Sequence, residues 1–158
     1  KTDALLHDVV LAASALAERR TGALIVFERK EGLRNFIENG IALDARLSFD
    51  LLVSIFTPDA PLHDGAIIIQ AERIAAASCF LPLTANPELS KEHGSRHRAA
   101  LGISEETDAL ALVVSEESGE ISLAVGGELE RNLDKSQLAM RLHYHLLTDA
   151  DSSLRRGQ

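Results

Sequence analysis

The feature that most constrains the fold is a short run of apolar residues without a polar interruption, Ala23–Phe27. A strand with one face in water alternates apolar and polar residues, whereas this run would bury both of its faces. The charged turn Glu28–Gly32 closes the run. We therefore predict a buried central strand at this point of the chain.

Helical patterns and further apolar runs surround this strand. Helices are predicted from Thr2 to about Arg20 and from Asp134 to about Leu147, with shorter ones at Leu33–Asn39 and after the capping residue Ser48. Two pairs of apolar runs joined by short polar links are typical of hairpins. The pattern predicts one α/β domain over residues 1–147 with a mixed sheet, and a disordered tail at 148–158. The predicted hairpin strands are Ala66–Gln70 with Ile74–Phe80, and Ala109–Val114 with Ile121–Val125.

Composition excludes several classes of function. The 24 acidic residues exceed the 16 Lys and Arg, which argues against binding long nucleic acid through a general electrostatic surface. One cysteine excludes an internal disulfide, and Cys79 lies in an apolar run that favours an inert core position. No apolar stretch is long enough to span a membrane.

One basic stretch, Gly94–Ala100, stands out against this acidic background. A Gly-Ser turn that opens a helix offers free backbone N–H groups and the positive end of the helix dipole, both of which favour an anion. The guanidinium groups of Arg96 and Arg98 fit phosphate oxygens, so a phosphorylated ligand is our leading interpretation. The alternative is a solvated basic helix start that pairs with nearby glutamates. Between Phe80 and this stretch the pattern breaks down into a long loop, and such loops are often functional.

Two further polar clusters lie at the edges of predicted strands, His63–Gly65 and Ser115–Glu117. Each alone could be an ordinary turn. Together with the basic stretch they supply a phosphate site, an imidazole and carboxylates, which are the groups that metal-assisted phosphoryl or nucleotidyl transfer needs. The remaining histidines add little, because His143 and His145 would face different ways on a helix.

The combination of these motifs resembles the diadenylate cyclase domain. The resemblance rests on Asp64-Gly65-Ala66, on Gly94–Ala100 and on Val114–Gly119, and it covers roughly residues 1–147. The membrane-anchored bacterial type is the most similar. It implies that this stretch is the soluble catalytic part of a longer protein, held at the cytoplasmic face of the cell membrane by N-terminal helices that are absent here.

The resemblance implies an α/β fold with a mixed parallel and antiparallel central sheet surrounded by helices. It also implies an enzyme that condenses two ATP molecules into cyclic di-AMP and releases two pyrophosphates. A divalent metal ion, Mn²⁺, Mg²⁺ or Co²⁺, would be required. Two subunits of a homodimer would meet face to face, and each ATP 3'-hydroxyl would attack the α-phosphate of the other ATP.

The resemblance also implies roles for individual residues. Asp64 would be the catalytic carboxylate, with Gly65 and Ala66 allowing a close backbone approach. Phe80 stands where the family often has tyrosine, and Ser95 where threonine is common. The implied catalytic groups further include Arg96, His97 and Arg98; the ATP contacts are Phe80, Leu81, Gly94, Ser95, Arg96, His97, Arg98, Ser115 and Glu116; the metal ligands are His63, Asp64 and Glu117.

Two other functions stay open at this point. A catalytically silent module could bind ATP or a cyclic dinucleotide as a sensor, although the intact Asp64 and Arg96–Arg98 argue against it. A metal-dependent phosphodiesterase is a weaker alternative, which analysis of the reaction product would separate from a cyclase.

Overall fold

Strand β1, Ala23–Phe27, is buried along its whole length and lies in the middle of the sheet, as the unbroken apolar run predicts. The structure is a computed structural model that describes residues 2–156. Because side chains alternate across a strand, Ile25 packs into the core on one face and Val26 into the core on the other. Both faces are therefore covered by helices, and the fold has three layers.

Within the described residues seven strands form one sheet in the order β2-β4-β3-β1-β5-β6-β7. Strand β1 pairs parallel with β3 and antiparallel with β5, and the other neighbours are antiparallel. The sheet is mixed and both predicted hairpins are present. The strands are Ala23–Phe27 (β1), Ile41–Arg46 (β2), Ala66–Gln70 (β3), Arg73–Cys79 (β4), Leu110–Val114 (β5), Ile121–Val125 (β6) and Glu128–Glu130 (β7); the helices are Thr2–Glu18 (α1), Arg34–Glu38 (α2), Phe49–Phe56 (α3), Pro87–Glu92 (α4), Ser95–Glu106 (α5) and Lys135–Arg156 (α6).

Helices α1, α3 and α6 cover one face of the sheet. The cap predicted for α3 is confirmed, since Ser48 Oγ accepts a hydrogen bond from Leu51 N at 3.1 Å. Leu52 and Phe56 are buried, and a side chain of this size contributes roughly 1.5–3 kcal/mol when it is fully buried. This face holds the larger of the two cores and contains none of the predicted site residues.

Helix α5 covers the opposite face with small side chains. Ala99 and Ala100 are buried against the sheet together with Ile103. Small residues allow the helix to lie close to the strands, and the first turn of α5 projects over one edge of the sheet. Cys79 is fully buried in the same core, which confirms its predicted core position, and burial raises the pKa of its thiol to about 11.

The structure differs from the predicted elements in four places. The edge strand β2 covers residues that the sequence pattern assigned to no element. Helix α4 lies within the predicted loop, where Asn86 accepts a hydrogen bond from Glu88 N and Pro87 stands at the first helical position; both are helix-start signals. Strand β7 was not predicted because it is only three residues long. Helix α6 continues past Leu147 to Arg156, since the first glycine after Leu147 is Gly157. The predicted tail at 148–158 overlaps this helix, and residues 157 and 158 lie outside the described residues.

Candidate active site

The three polar clusters meet at one edge of the sheet. Strands β1 and β3 run parallel and both begin at this edge, whereas β5 is antiparallel to β1 and ends there. The turn at Asp64 leads into β3, and Ser115 directly follows β5. The first turn of α5 lies over the same edge. Sheet topology thus brings together groups that are about fifty residues apart in sequence.

The turn before β3 requires its glycine. Gly65 has φ +80°, and a Cβ there would lie 2.9 Å from Cys79 O, so a larger residue would be strained and would clash with β4. Asp64 is exposed, and its Oδ1 accepts a hydrogen bond from Gly65 N at 3.1 Å. His63 Nδ1 lies 2.7 Å from Ala60 O. The turn therefore presents the Asp64 carboxylate at the rim of the sheet.

The basic stretch begins helix α5, as predicted, with Gly94 at the N-cap. Consecutive residues of a helix point about 100° apart, so the side chains of Arg96, His97 and Arg98 leave it in different directions. The Arg96 side chain is 24% exposed and pairs with Glu116 at 3.6 Å. This ion pair is the kind of contact that the alternative interpretation of the stretch expects.

Arg96 and Ser95 line two neighbouring cavities. The first has a volume of about 330 Å³ and reaches the loop after β5; the second has a volume of about 280 Å³ and reaches Asp64. The first is lined by Glu92, His93, Gly94, Ser95, Arg96, His97, Val114, Ser115, Glu116, Glu117, Ser118, Glu120 and Arg131; the second is lined by Leu24, Asp64, Gly65, Cys79, Phe80, Leu81, Leu83, Ser95, Arg96 and Ala99.

His97 and Arg98 occupy different surroundings. His97 lines the first cavity and stacks on His93 with ring centroids 5.7 Å apart. Burial lowers the pKa of His97, and the nearby His93 and Arg131 lower it further. Arg98 lines neither cavity, and its Nε is buried without a hydrogen-bond partner among the described residues. A phosphate role for Arg98 stays a prediction.

The loop after β5 is organised by a serine hydroxyl. Ser115 Oγ accepts hydrogen bonds from Glu117 N at 3.2 Å and Ser118 N at 3.3 Å. The side chains of Glu116 and Glu117 are exposed at the mouth of the first cavity. The loop therefore presents two carboxylates close to Arg96.

The second cavity has an apolar wall made by the segment after β4. Phe80 is 62% exposed, and its backbone is held on both sides by one side chain: Asn39 Oδ1 accepts from Phe80 N, and Asn39 Nδ2 donates to Phe80 O, each at 3.1 Å. A flat aromatic base could lie on Phe80 and Leu81. The sequence around Asn39 does not indicate this contact, because a polar residue before a glycine is typical of an ordinary helix end.

Comparison with known proteins identifies the family to which this chain belongs. Residues 10–129 match the DAC family model, described as the nucleotide-binding domain of the DisA bacterial checkpoint controller. The chain belongs to the DAC family. It is 51% identical over 133 residues to cyclic di-AMP synthase CdaA from Bacillus subtilis, covering 84% of this chain and 49% of that protein. It is 50% identical over 144 residues to a diadenylate cyclase from Listeria monocytogenes, covering 91% of this chain and 53% of that protein.

Solved structures agree with this DAC assignment. The crystal structure of DacA from Staphylococcus aureus superposes with a TM-score of 0.88 at 48% identity, over 91% of this chain and 96% of that chain. The chain thus has the DAC fold, and it spans about half the length of the curated relatives named above. Among the described residues, none of the helices is both long enough and apolar enough to cross a membrane.

The DAC domain does not assemble the three predicted metal ligands into one group. Among the described residues there is no cluster of three His, Cys, Asp or Glu side chains that could hold a metal ion. Asp64 lines the second cavity, whereas Glu117 lines the first, and His63 lines neither. The chain by itself does not fit a metal cage built only from protein ligands.

Proposed function

We propose that this DAC domain condenses two molecules of ATP into cyclic di-AMP and releases two pyrophosphates. The names of the Bacillus subtilis and Listeria monocytogenes relatives support this activity. The observation that carries the proposal is the position of Arg96, which lines both cavities. A phosphate chain bound at its guanidinium would have the Asp64 carboxylate on one side and Ser115 and Glu116 on the other.

The proposed chemistry is two identical phosphodiester-forming steps. In each step a 3'-hydroxyl oxygen attacks the α-phosphorus of the other ATP, the bond between the α- and β-phosphates breaks, and pyrophosphate leaves. Asp64 accepts the proton of the attacking hydroxyl. Arg96, Ser95 and the free N–H groups at the start of α5 bind phosphate oxygens and stabilise the negative charge that develops on them. No covalent intermediate with the protein is needed.

A second subunit is part of this proposal, because one ATP held by one subunit has no second ATP to react with. Asp64 and Phe80 both line the second cavity and are exposed, so a facing homodimer could bring two ATP molecules together. The rate per subunit is then expected to fall when the protein is diluted below the dimer dissociation constant. A rate per subunit that stays constant at concentrations where sedimentation shows only monomer would contradict the proposal.

A divalent metal ion, Mn²⁺, Mg²⁺ or Co²⁺, is proposed as the cofactor. Glutamates outnumber arginines in the lining of the first cavity, four to two, so a polyphosphate there needs additional positive charge. Magnesium-type ions are commonly held by one or two carboxylates together with substrate phosphates, which suits the separated positions of Asp64 and Glu117, with His63 as a further candidate. Such an ion would neutralise phosphate oxygens and favour loss of the hydroxyl proton.

The experiment is a comparison of two matched Asp→Asn variants. ATP and Mn²⁺ are incubated with wild-type protein, with Asp64→Asn and with Asp59→Asn, and the products are identified by mass spectrometry. Asp59 is exposed and has φ +69°, a conformation that asparagine also accepts. We expect cyclic di-AMP from the wild type and the control, and none from Asp64→Asn, which should still bind ATP.

The outcomes separate the alternative functions. ATP binding by the wild type without any product, at every protein concentration and with each of the three metals, would overturn the cyclase and favour a nucleotide-binding module. Hydrolysis of added cyclic di-AMP without its synthesis would favour a phosphodiesterase.

We also propose that the full-length protein holds this domain at the cytoplasmic face of the cell membrane. The support is a solved relative from Bacillus cereus, described as a hypothetical membrane spanning protein, with 48% identity and a TM-score of 0.76 over 79% of this chain. Fractionation of cells that express the full-length protein tests this; recovery in the cytosolic fraction would contradict it.

A further inference from the structure

Gly22, the last residue before β1, lies directly beneath the guanidinium of Arg96. It is buried at the edge where β1 and β3 begin and β5 ends. A Cβ on Gly22 would lie 2.5 Å from Arg96 Cζ and 2.9 Å from Arg96 Nε, and closer still to Nη1. Real Cβ contacts are longer than this, so the guanidinium occupies the space that any side chain at this position would take.

The backbone itself does not require glycine at this position. The described glycines with positive φ are Gly65, Gly119, Gly126 and Gly127, and Gly22 is not one of them. Alanine could therefore adopt the same backbone conformation without strain. What only glycine provides here is room for the arginine.

The turn that contains Gly22 also supports the loop after β5. Arg20 Nη1 donates a hydrogen bond to Glu117 O at 3.2 Å. A Cβ on Gly119 would lie 2.7 Å from Ala17 O, so this loop packs closely on the end of α1. The α1–β1 turn thus lies under two of the groups that line the first cavity, the loop after β5 and Arg96.

We propose that Gly22 is a positioning residue for ATP binding: because it has no side chain, the Arg96 guanidinium can lie against it and is oriented toward the nucleotide phosphates. The inference rests on the proposed function, in which Arg96 binds those phosphates. The clashing atoms are the far end of a long, flexible side chain. A methyl group at position 22 is therefore expected to displace the guanidinium while leaving the fold and its stability nearly unchanged.

The test measures affinity for an ATP analogue with a methylene group between the α- and β-phosphorus atoms, by calorimetry in the presence of Mn²⁺. Gly22→Ala is compared with Gly32→Ala, a control in which the added methyl group meets nothing within 4 Å. We expect Gly22→Ala to bind about tenfold more weakly than wild type, the effect of losing one charge-assisted hydrogen bond. The control should bind like the wild type, and both variants should keep the wild-type melting temperature.

A double-mutant cycle separates positioning from a general structural effect. In an Arg96→Ala background there is no guanidinium to displace, so Gly22→Ala should cause no further loss of affinity. An equal loss in both backgrounds, wild-type affinity of Gly22→Ala, or a melting temperature that falls by more than a few degrees would each overturn the inference.

Binding of the analogue does not depend on turnover, so this result is distinguishable from that of the proposed reaction. A wild type that binds ATP but makes no cyclic di-AMP would overturn the cyclase and leave the coupling of Gly22 with Arg96 measurable. A wild type that binds no ATP would overturn both.

Discussion

Gly102→Ala is expected to destabilise the domain, in contrast to Gly22→Ala, because the atoms that the new methyl group meets belong to the backbone. A Cβ on Gly102 would lie 2.6 Å from Pro82 C and 2.8 Å from Leu83 C, and closer still to Pro82 O. The segment that contains these atoms is fastened to α5. Thr84 N donates to Arg98 O at 2.9 Å, and the next contacts are made to one carboxylate, that of Glu105.

Glu105 accepts two hydrogen bonds from this segment. Its Oε1 accepts from Ala85 N at 3.1 Å, and its Oε2 accepts from the hydroxyl of Thr84. The segment cannot move away from a methyl group at position 102 without weakening these bonds. Overpacking of this kind costs about 1–3 kcal/mol, and alanine recovers up to about 1 kcal/mol relative to glycine within a helix. With about 1 kcal/mol for a weakened hydrogen bond, the net destabilisation is about 2 kcal/mol.

Thermal unfolding measures this effect. For a domain of this size, about 2 kcal/mol corresponds to a melting temperature lower by about 4–8 °C. Gly32→Ala is again the control. Because Phe80 and Leu81 precede the displaced segment, Gly102→Ala should also weaken binding of ATP more than binding of inorganic tripolyphosphate, which has no base. A melting temperature equal to or above that of the wild type would refute the reasoning from backbone contacts.

The other predictions concern titrating and hydrogen-bonding groups. Glu105→Gln should lower stability by about 1 kcal/mol through a weaker acceptor for Thr84 and Ala85, and exposed Glu106→Gln should not; equal melting curves for the two variants would contradict this. Burial lowers the pKa of His97, so its protonation opposes folding. The wild type should therefore lose stability as the pH falls from about 6.5 through the lowered pKa. His97→Asn should lose less stability over the same pH range, and parallel plots of melting temperature against pH for the two proteins would disprove this prediction. Arg141 donates two hydrogen bonds to Glu130, at 2.9 and 2.7 Å, and lowers the pKa of this carboxyl from its ordinary 4.5. Glu130→Gln should lower the free energy of unfolding by about 1 kcal/mol at pH 7. The ionised Glu130 carboxylate makes this contribution above pH 4.5, and the contribution is lost as the pH falls through the lowered pKa. Unchanged stability of the variant at pH 7 in chemical denaturation would contradict this prediction.

Some features of the site could be predicted because they depend on local chemistry. An Asp-Gly pair before an apolar run predicts a turn, and Gly65 does adopt a positive φ. A Gly-Ser pair before alanines predicts a helix start, and α5 begins at Ser95. In both cases the residues concerned are neighbours in the chain, so sequence is sufficient to identify them.

Other features could not be predicted because they depend on contacts between distant segments. Asn39 holds the backbone of Phe80 from forty-one residues away, and no pattern near either residue indicates it. The helical pattern gives His145 no polar partner, because His143 would face another way; in the structure His145 is buried and its Nε2 lies 3.1 Å from Glu130 Oε2. Glu130 belongs to β7, a strand too short to be recognised from periodicity.

The sequence by itself determined the central strand, an α/β domain with two hairpins and the three polar clusters, since these follow from apolar periodicity and from turn and cap chemistry within a few residues. Only the tertiary structure decided which of the two cavities each cluster lines. The parallel pairing of β1 with β3 and the antiparallel pairing with β5 place the Asp64 and Ser115 segments on either side of Gly22. The 100° step of a helix then directs Arg96 onto that glycine and Arg98 elsewhere. The three consecutive basic residues do not show by themselves which arginine faces the glycine.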